Sequence, residues 1–113
     1  MDRKAQLEEE LKRSMEIVVR DYEPQRVILF GSLAQGHVHE WSDIDLAIVK
    51  ETPRRFIDRI GDVLGLVEPR VGFNVVVYTP PEVAQMEAND HYFWIDEIVK
   101  KGKVLYERDA GMD

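Results

Sequence analysis

The chain contains no cysteine. Disulfides, thiolate zinc sites, iron–sulfur clusters and thiol catalysis are excluded at once. It lacks an excess of basic residues: Asp and Glu number 22 against 15 Lys and Arg, a formal net charge of -7. A broadly basic face for nonspecific nucleic-acid binding is therefore not expected. It also lacks any apolar run approaching the about 18 residues that a membrane-spanning helix needs. Its first residues, Met1-Asp2-Arg3-Lys4, lead into charged sequence rather than a signal-type apolar stretch. Repeats and low-complexity tracts are absent too. The expectation is a soluble, cytoplasmic protein of 113 residues folded as a single domain over 1–113, with 108–113 a loose tail.

What is present is an alternation of helix and strand patterns. Leu7, Leu11, Met15, Val18 and Tyr22 recur at helical spacing over 2–22. Glu8–Lys12 and Glu9–Arg13 supply i,i+4 pairs on the wet side, and Pro24 stops the helix. Val27-Ile28-Leu29-Phe30 reads as a buried strand ended by Gly31, followed by a loop with one helical turn after Ser32. A second strand covers Ile44 to Val49. Thr52-Pro53 then suits a helix start, with Phe56, Ile60, Val63 and Val67 on the apolar face and an end near Gly65. Phe73 to Tyr78 is a valine-rich third strand. Thr79-Pro80-Pro81-Glu82 is a capping box opening a helix over about 81–88. A last helix spans Tyr92 to Lys101 with Gly102 as its cap, and Val104-Leu105-Tyr106 is a final edge strand. The first two strands are joined by too little chain for a full crossover helix. The class is therefore α/β with a mixed β-sheet flanked by helices.

The chemistry concentrates in Gly31-Ser32, ten residues, then Asp43-Ile44-Asp45. On an extended chain Asp43 and Asp45 share a face, their Cα atoms about 6–7 Å apart. Two carboxylates so placed repel one another unless a hard cation joins them, which points to Mg²⁺ or Mn²⁺. A strand that ends in Gly31-Ser32 can turn sharply and bring backbone N–H groups to an anion. Phosphate held by amides on one side and by a carboxylate-bound cation on the other describes a nucleoside-triphosphate site. Gly31 and Gly36 have P-loop spacing, but His37-Val38 stand where Lys and Ser or Thr belong, so that motif fails. His37 and His39 form an H-x-H, better read as a polar loop than as a metal site. Ser42 is expected to bond the turn before Asp43 and orient the site.

Gly31-Ser32 with Ser42-Asp43-Ile44-Asp45-Leu46 resembles the minimal nucleotidyltransferases of the DNA polymerase β superfamily, the MNT type found beside HEPN-domain proteins as antitoxin–toxin pairs. The leading helix, Tyr78-Thr79-Pro80 and Lys101-Gly102-Lys103-Val104-Leu105-Tyr106 extend the likeness over nearly the whole chain. The resemblance implies a polymerase β-like fold and metal-dependent transfer of a nucleoside monophosphate, AMP from ATP, to a tyrosine of the HEPN partner. It implies Asp43 and Asp45 as catalytic metal ligands, and Gly31, Ser32, Gln35 and Ser42 at the nucleotide. Two positions depart from the pattern. Where the family has a third Asp this chain has Asn74, with Glu68 a conceivable substitute, and where many relatives have Arg it has Gln35. Asn74 cannot take a proton at neutral pH.

The alternative reading is accordingly a catalytically weakened relative that neutralises a HEPN-type partner by binding. A small-molecule nucleotidyltransferase of the aminoglycoside-modifying kind is a third, disfavoured by the lack of an acceptor domain within these residues. The partner is expected to be a HEPN-domain protein or a second copy. Tyr92-Phe93-Trp94-Ile95 offers bulk that either the core or such an interface can take.

Overall fold

The computed structural model describes residues 2–108. Helix α1 (Arg3–Ile17) is capped by the Asp2 side chain, which accepts from the Ala5 amide, and runs on into a π-wound turn, Val18–Tyr22. Glu23 then takes a left-handed conformation (φ 52°) and Pro24 ends the element. Strand β1 (Arg26–Phe30) leads into the short helix α2 (Gly31–Gln35), and β2 (Ile44–Val49) follows. Helix α3 (Phe56–Val67) carries the chain across to β3 (Phe73–Tyr78), and α4 (Pro80–Ala88) comes next. A helix of π geometry, α5 (Phe93–Lys100), and β4 (Lys103–Glu107) complete the order.

The four strands lie in the order β3-β2-β1-β4. β1 pairs antiparallel with β2 and β4, while β2 and β3 pair parallel, as the intervening α3 requires. The mixed sheet expected from the short first connection is present. Its two faces bury separate cores. Leu7 and Val18 of the first helical stretch and Val63 and Val67 of α3 pack with Val27, Leu29, Ile44, Leu46 and Ile48 on one face. Val83 of α4 and Trp94 and Ile98 of α5 pack with Ile28, Ala47 and Val49 on the other.

Several boundaries differ from the sequence reading. α3 begins at Phe56 rather than Pro53: the Thr52 hydroxyl accepts from the Arg54 amide and closes a separate turn. The Arg54 carbonyl is taken by the Arg59 guanidinium instead of a helical amide. α3 also passes Gly65, because Val67 is buried (1% exposed), and ends at a left-handed Glu68 whose amide donates to the Leu64 carbonyl. The capping box at Thr79 and Glu82 forms in both directions. Gly102 follows the last helix not as a left-handed cap but because a Cβ there would overlap the Ile98 carbonyl. Trp94 is fully buried against Tyr78, whereas Tyr92 is exposed, so the aromatic run divides between core and surface. Arg108 is fastened to Gln25 and Glu23; the rest of the expected tail lies outside the described residues.

Arg13 pairs with Glu10 at i,i+3, not with Glu9. The Glu10 carboxylate is 5% exposed and accepts from Arg13 Nε (2.8 Å), Arg13 Nη2 (2.9 Å) and the Arg70 amide (2.6 Å), tying α1 to the segment after α3. The Arg13 hydrogen bond holds the Glu10 carboxyl below its ordinary value of 4.5. A depressed folded-state value gives stability that is full above the unfolded value and lost as pH falls through the folded one. Glu10→Gln is expected to cost about 1.5–3 kcal/mol at pH 7. The gap from wild type should narrow in urea unfolding as pH is lowered below the ordinary carboxylate range; a gap constant with pH would contradict this.

Candidate active site

The site forms where β1 leaves the sheet and β2 and β3 enter it. Phe30, the last residue of β1, stands opposite Asp45, and Asp45 stands beside Asn74 of β3 in parallel register. Three neighbouring strands thus bring Phe30, Asp45 and Asn74 to one end of one sheet face. Gly31 follows with φ 77°, and a Cβ there would overlap the Asp45 carboxylate. Glycine is needed twice over: for the left-handed turn into α2 and for the approach of backbone to carboxylate.

Asp43 lies one residue before β2, where the Ile44 amide donates to the Gly72 carbonyl (3.0 Å). A Cβ at Gly72 would overlap the Asp43 carboxylate, so a second glycine makes room for the second acid. The two acids interact: burial foremost, and the Asp43 charge in addition, raise the Asp45 carboxyl above its ordinary value, while a hydrogen bond from Asn74 opposes the rise. That bond runs from Asn74 Nδ2 to Asp45 Oδ1 over 2.9 Å.

Ser42 is buried (3% exposed) and organises the approach to Asp43. Its hydroxyl oxygen accepts from Ser32 Oγ (3.0 Å) and from the His39 amide (2.9 Å). Its carbonyl accepts from Arg3 Nε at 2.8 Å, and Arg3 Nη2 lies 3.6 Å from Asp43 Oδ1. Gln35 is exposed at the end of α2 and is not bonded to either carboxylate. Glu68 caps α3 and is exposed. His39 Nδ1 accepts from the Trp41 amide, a local loop contact.

Arg3 and Gly72 are the site residues that sequence reasoning missed. Gly72, just before a valine-rich strand, was a usable local signal. Arg3 was not: its partner Ser42 is 39 residues away.

Among the described residues no cluster of three or more His, Asp or Glu is placed to hold a metal ion. Two carboxylates at one mouth, one of them made more basic by burial and by its neighbour, still fit a hard divalent cation, which would relieve their repulsion. The Asn74 amide would complete the set through its carbonyl oxygen, since its nitrogen cannot ligate. This donor set is one negative charge short of three carboxylates.

Known proteins agree with this architecture. A candidate nucleotidyltransferase from Sulfolobus solfataricus superposes with a TM-score of 0.66 at 21% identity, over 95% of this chain and 86% of that one. A toxin–antitoxin structure with AMP-PNP superposes with a TM-score of 0.53 at 20% identity, over 85% of this chain and 73% of that one. In sequence, a candidate protein adenylyltransferase of Methanocaldococcus jannaschii is 34% identical over 89 residues, 74% of this chain; the chain spans 58% of that relative's length. The family model for polymerase beta nucleotidyltransferases matches residues 9–111. With helices on both faces of a mixed sheet and this match over nearly its whole length, the chain belongs to the polymerase beta nucleotidyltransferase family.

Proposed function

We propose that this chain binds a metal–ATP complex at Asp43, Asp45, Gly31 and Ser32 and is built to transfer AMP to a hydroxyl of a protein acceptor, as the antitoxin of a HEPN/MNT-type pair in the cytoplasm. The observation that carries the reading is the placement of the Asp45 carboxylate directly against the Gly31 backbone, with Asp43 close enough to raise its proton affinity. Bound Mg²⁺ or Mn²⁺ would supply charge neutralisation for the phosphates and the departing pyrophosphate. Ser32, fixed by its bond to Ser42, offers a polar edge beside the turn that would face the triphosphate. In the transfer, the acceptor oxygen bonds to the α-phosphorus as the α–β anhydride bond breaks, and pyrophosphate leaves with the electron pair. The acceptor's proton must go to a carboxylate or to water, because Asn74 cannot receive it. The relative from M. jannaschii, a candidate protein adenylyltransferase, supports a protein acceptor; the toxin–antitoxin neighbour supports a protein partner. Among the described residues no helix is long and apolar enough to cross a membrane.

A second reading, neutralisation by binding alone, is favoured by one contact: Asn74 spends its amide on Asp45 rather than adding a charge to the site. Label transfer separates the two readings. Purified with a HEPN-domain partner and given Mg²⁺, the chain should move label onto that partner from ATP labelled at the α-phosphate and not at the γ-phosphate. A stable complex without label supports binding alone. Neither complex nor label would contradict both readings.

A further inference from the structure

Arg3 stands apart from the other charged residues near the site. Among the described residues it is the cation paired with either site carboxylate, at 3.6 Å from Asp43 Oδ1. Its guanidinium is held from three sides: Nε donates to the Ser42 carbonyl, Nη1 to Gln6 Oε1 (3.0 Å), and Nη2 faces Asp43. Ser42 is in turn bonded to Ser32, so one chain of contacts joins the first turn of α1 to the Gly31-Ser32 turn. α2 carries no charged residue, and its exposed last residue is the neutral Gln35. Beside Arg3 a cleft of about 380 Å³ opens, lined by Lys4 and His39 as well as by Asp2 and Glu40. Of these acids, Asp2 is engaged in capping α1 through the Ala5 amide.

We propose that Arg3 is a nucleotide-binding residue: it holds Asp43 while the site has no nucleotide and transfers its guanidinium to the triphosphate when nucleotide enters. The inference rests on the nucleotide-site reading above. A guanidinium competes with a divalent cation for the same carboxylate, since both are drawn by its charge. Phosphate oxygens offer it a better partner, in charge-assisted and often bidentate hydrogen bonds. Arg3 therefore opposes binding of the bare cation and favours binding of the nucleotide. It supplies from α1 the charge that Gln35 does not supply from α2.

This opposition of sign provides the test. Arg3→Gln and Arg3→Lys are titrated calorimetrically with Mn²⁺ alone, and then with ATP in saturating Mn²⁺. Arg3→Gln should bind Mn²⁺ alone about threefold more tightly, the pair being partly exposed, and ATP about tenfold or more weakly. Arg3→Lys, which keeps the charge, should recover part of the ATP affinity. Weakening of both ligands in parallel would make Arg3 only an anchor for the Ser42-Asp43 turn and overturn the proposal, as would no change in either. If wild type binds ATP and Arg3→Gln binds it equally well, the Arg3 inference alone fails. If wild type itself binds no ATP in Mn²⁺, the nucleotide-site reading fails and takes this inference with it.

Discussion

Asn74→Asp is expected to raise AMP transfer by about 10²–10⁴-fold over wild type, the range attached to a positioned general base. Asn74 is exposed at the start of β3, so the exchange disturbs no packing. Its amide nitrogen already lies 2.9 Å from Asp45 Oδ1. A carboxylate there would join Asp43 and Asp45 as a third ligand and could take the acceptor proton. The same exchange replaces an attractive N–H···O contact with like-charge repulsion when no cation is present. Two signatures should therefore appear together. In chelator the variant melts below wild type; in Mn²⁺ it regains that loss and exceeds wild type, because ligand binding to the folded state alone adds stability. A variant that binds Mn²⁺ and ATP yet transfers no faster than wild type would show that the missing carboxylate is not what limits this chain.

Much of this arrangement is legible in the order of residues. The apolar spacing of α1, the capping box at Thr79 and the strands around Gly31 and Asp45 are local signals, and each formed. Local pattern also puts Asp43 and Asp45 on one side of an extended segment; the structure places Asp43 one residue before β2 against Gly72, and Asp45 within β2 against Gly31. Long-range register is a different matter. That Asn74 falls beside Asp45 depends on how β3 pairs with β2 across a separation of 29 residues. Arg3 reaches the site only because α1 packs across the sheet, and nothing adjacent to Arg3 encodes that.

Arg59 illustrates a third kind of miss. It sits among the apolar positions of α3 and is 6% exposed, donating to the Arg54 and Val77 carbonyls and to Glu82. Counting hydrophobic residues cannot find a buried cation whose partners come from β3, from α4 and from the turn before α3. Hydrophobic bulk alone likewise left Tyr92-Phe93-Trp94-Ile95 undecided. The fold seats Trp94 against Tyr78 and sets Phe93 edge-on to Phe30, while Tyr92 turns outward to bond Glu97.

The largest expected effect on binding belongs to Asp43. Losing a partner that merely orients a metal ligand costs about 10–100-fold in metal affinity, so losing a charged ligand should cost at least that. Asp43 is the choice over Asp45 because it lies outside the strand ladder and is 42% exposed at its side chain, so removing it spares the fold. The most direct measurement is calorimetric titration of wild type and Asp43→Ala with ATP, each with and without Mg²⁺. The site described here predicts Mg²⁺-dependent ATP binding by wild type and its loss, by about 100-fold or more, in Asp43→Ala. Binding indifferent to Mg²⁺, or retained in Asp43→Ala, or absent from wild type under both conditions, would contradict it.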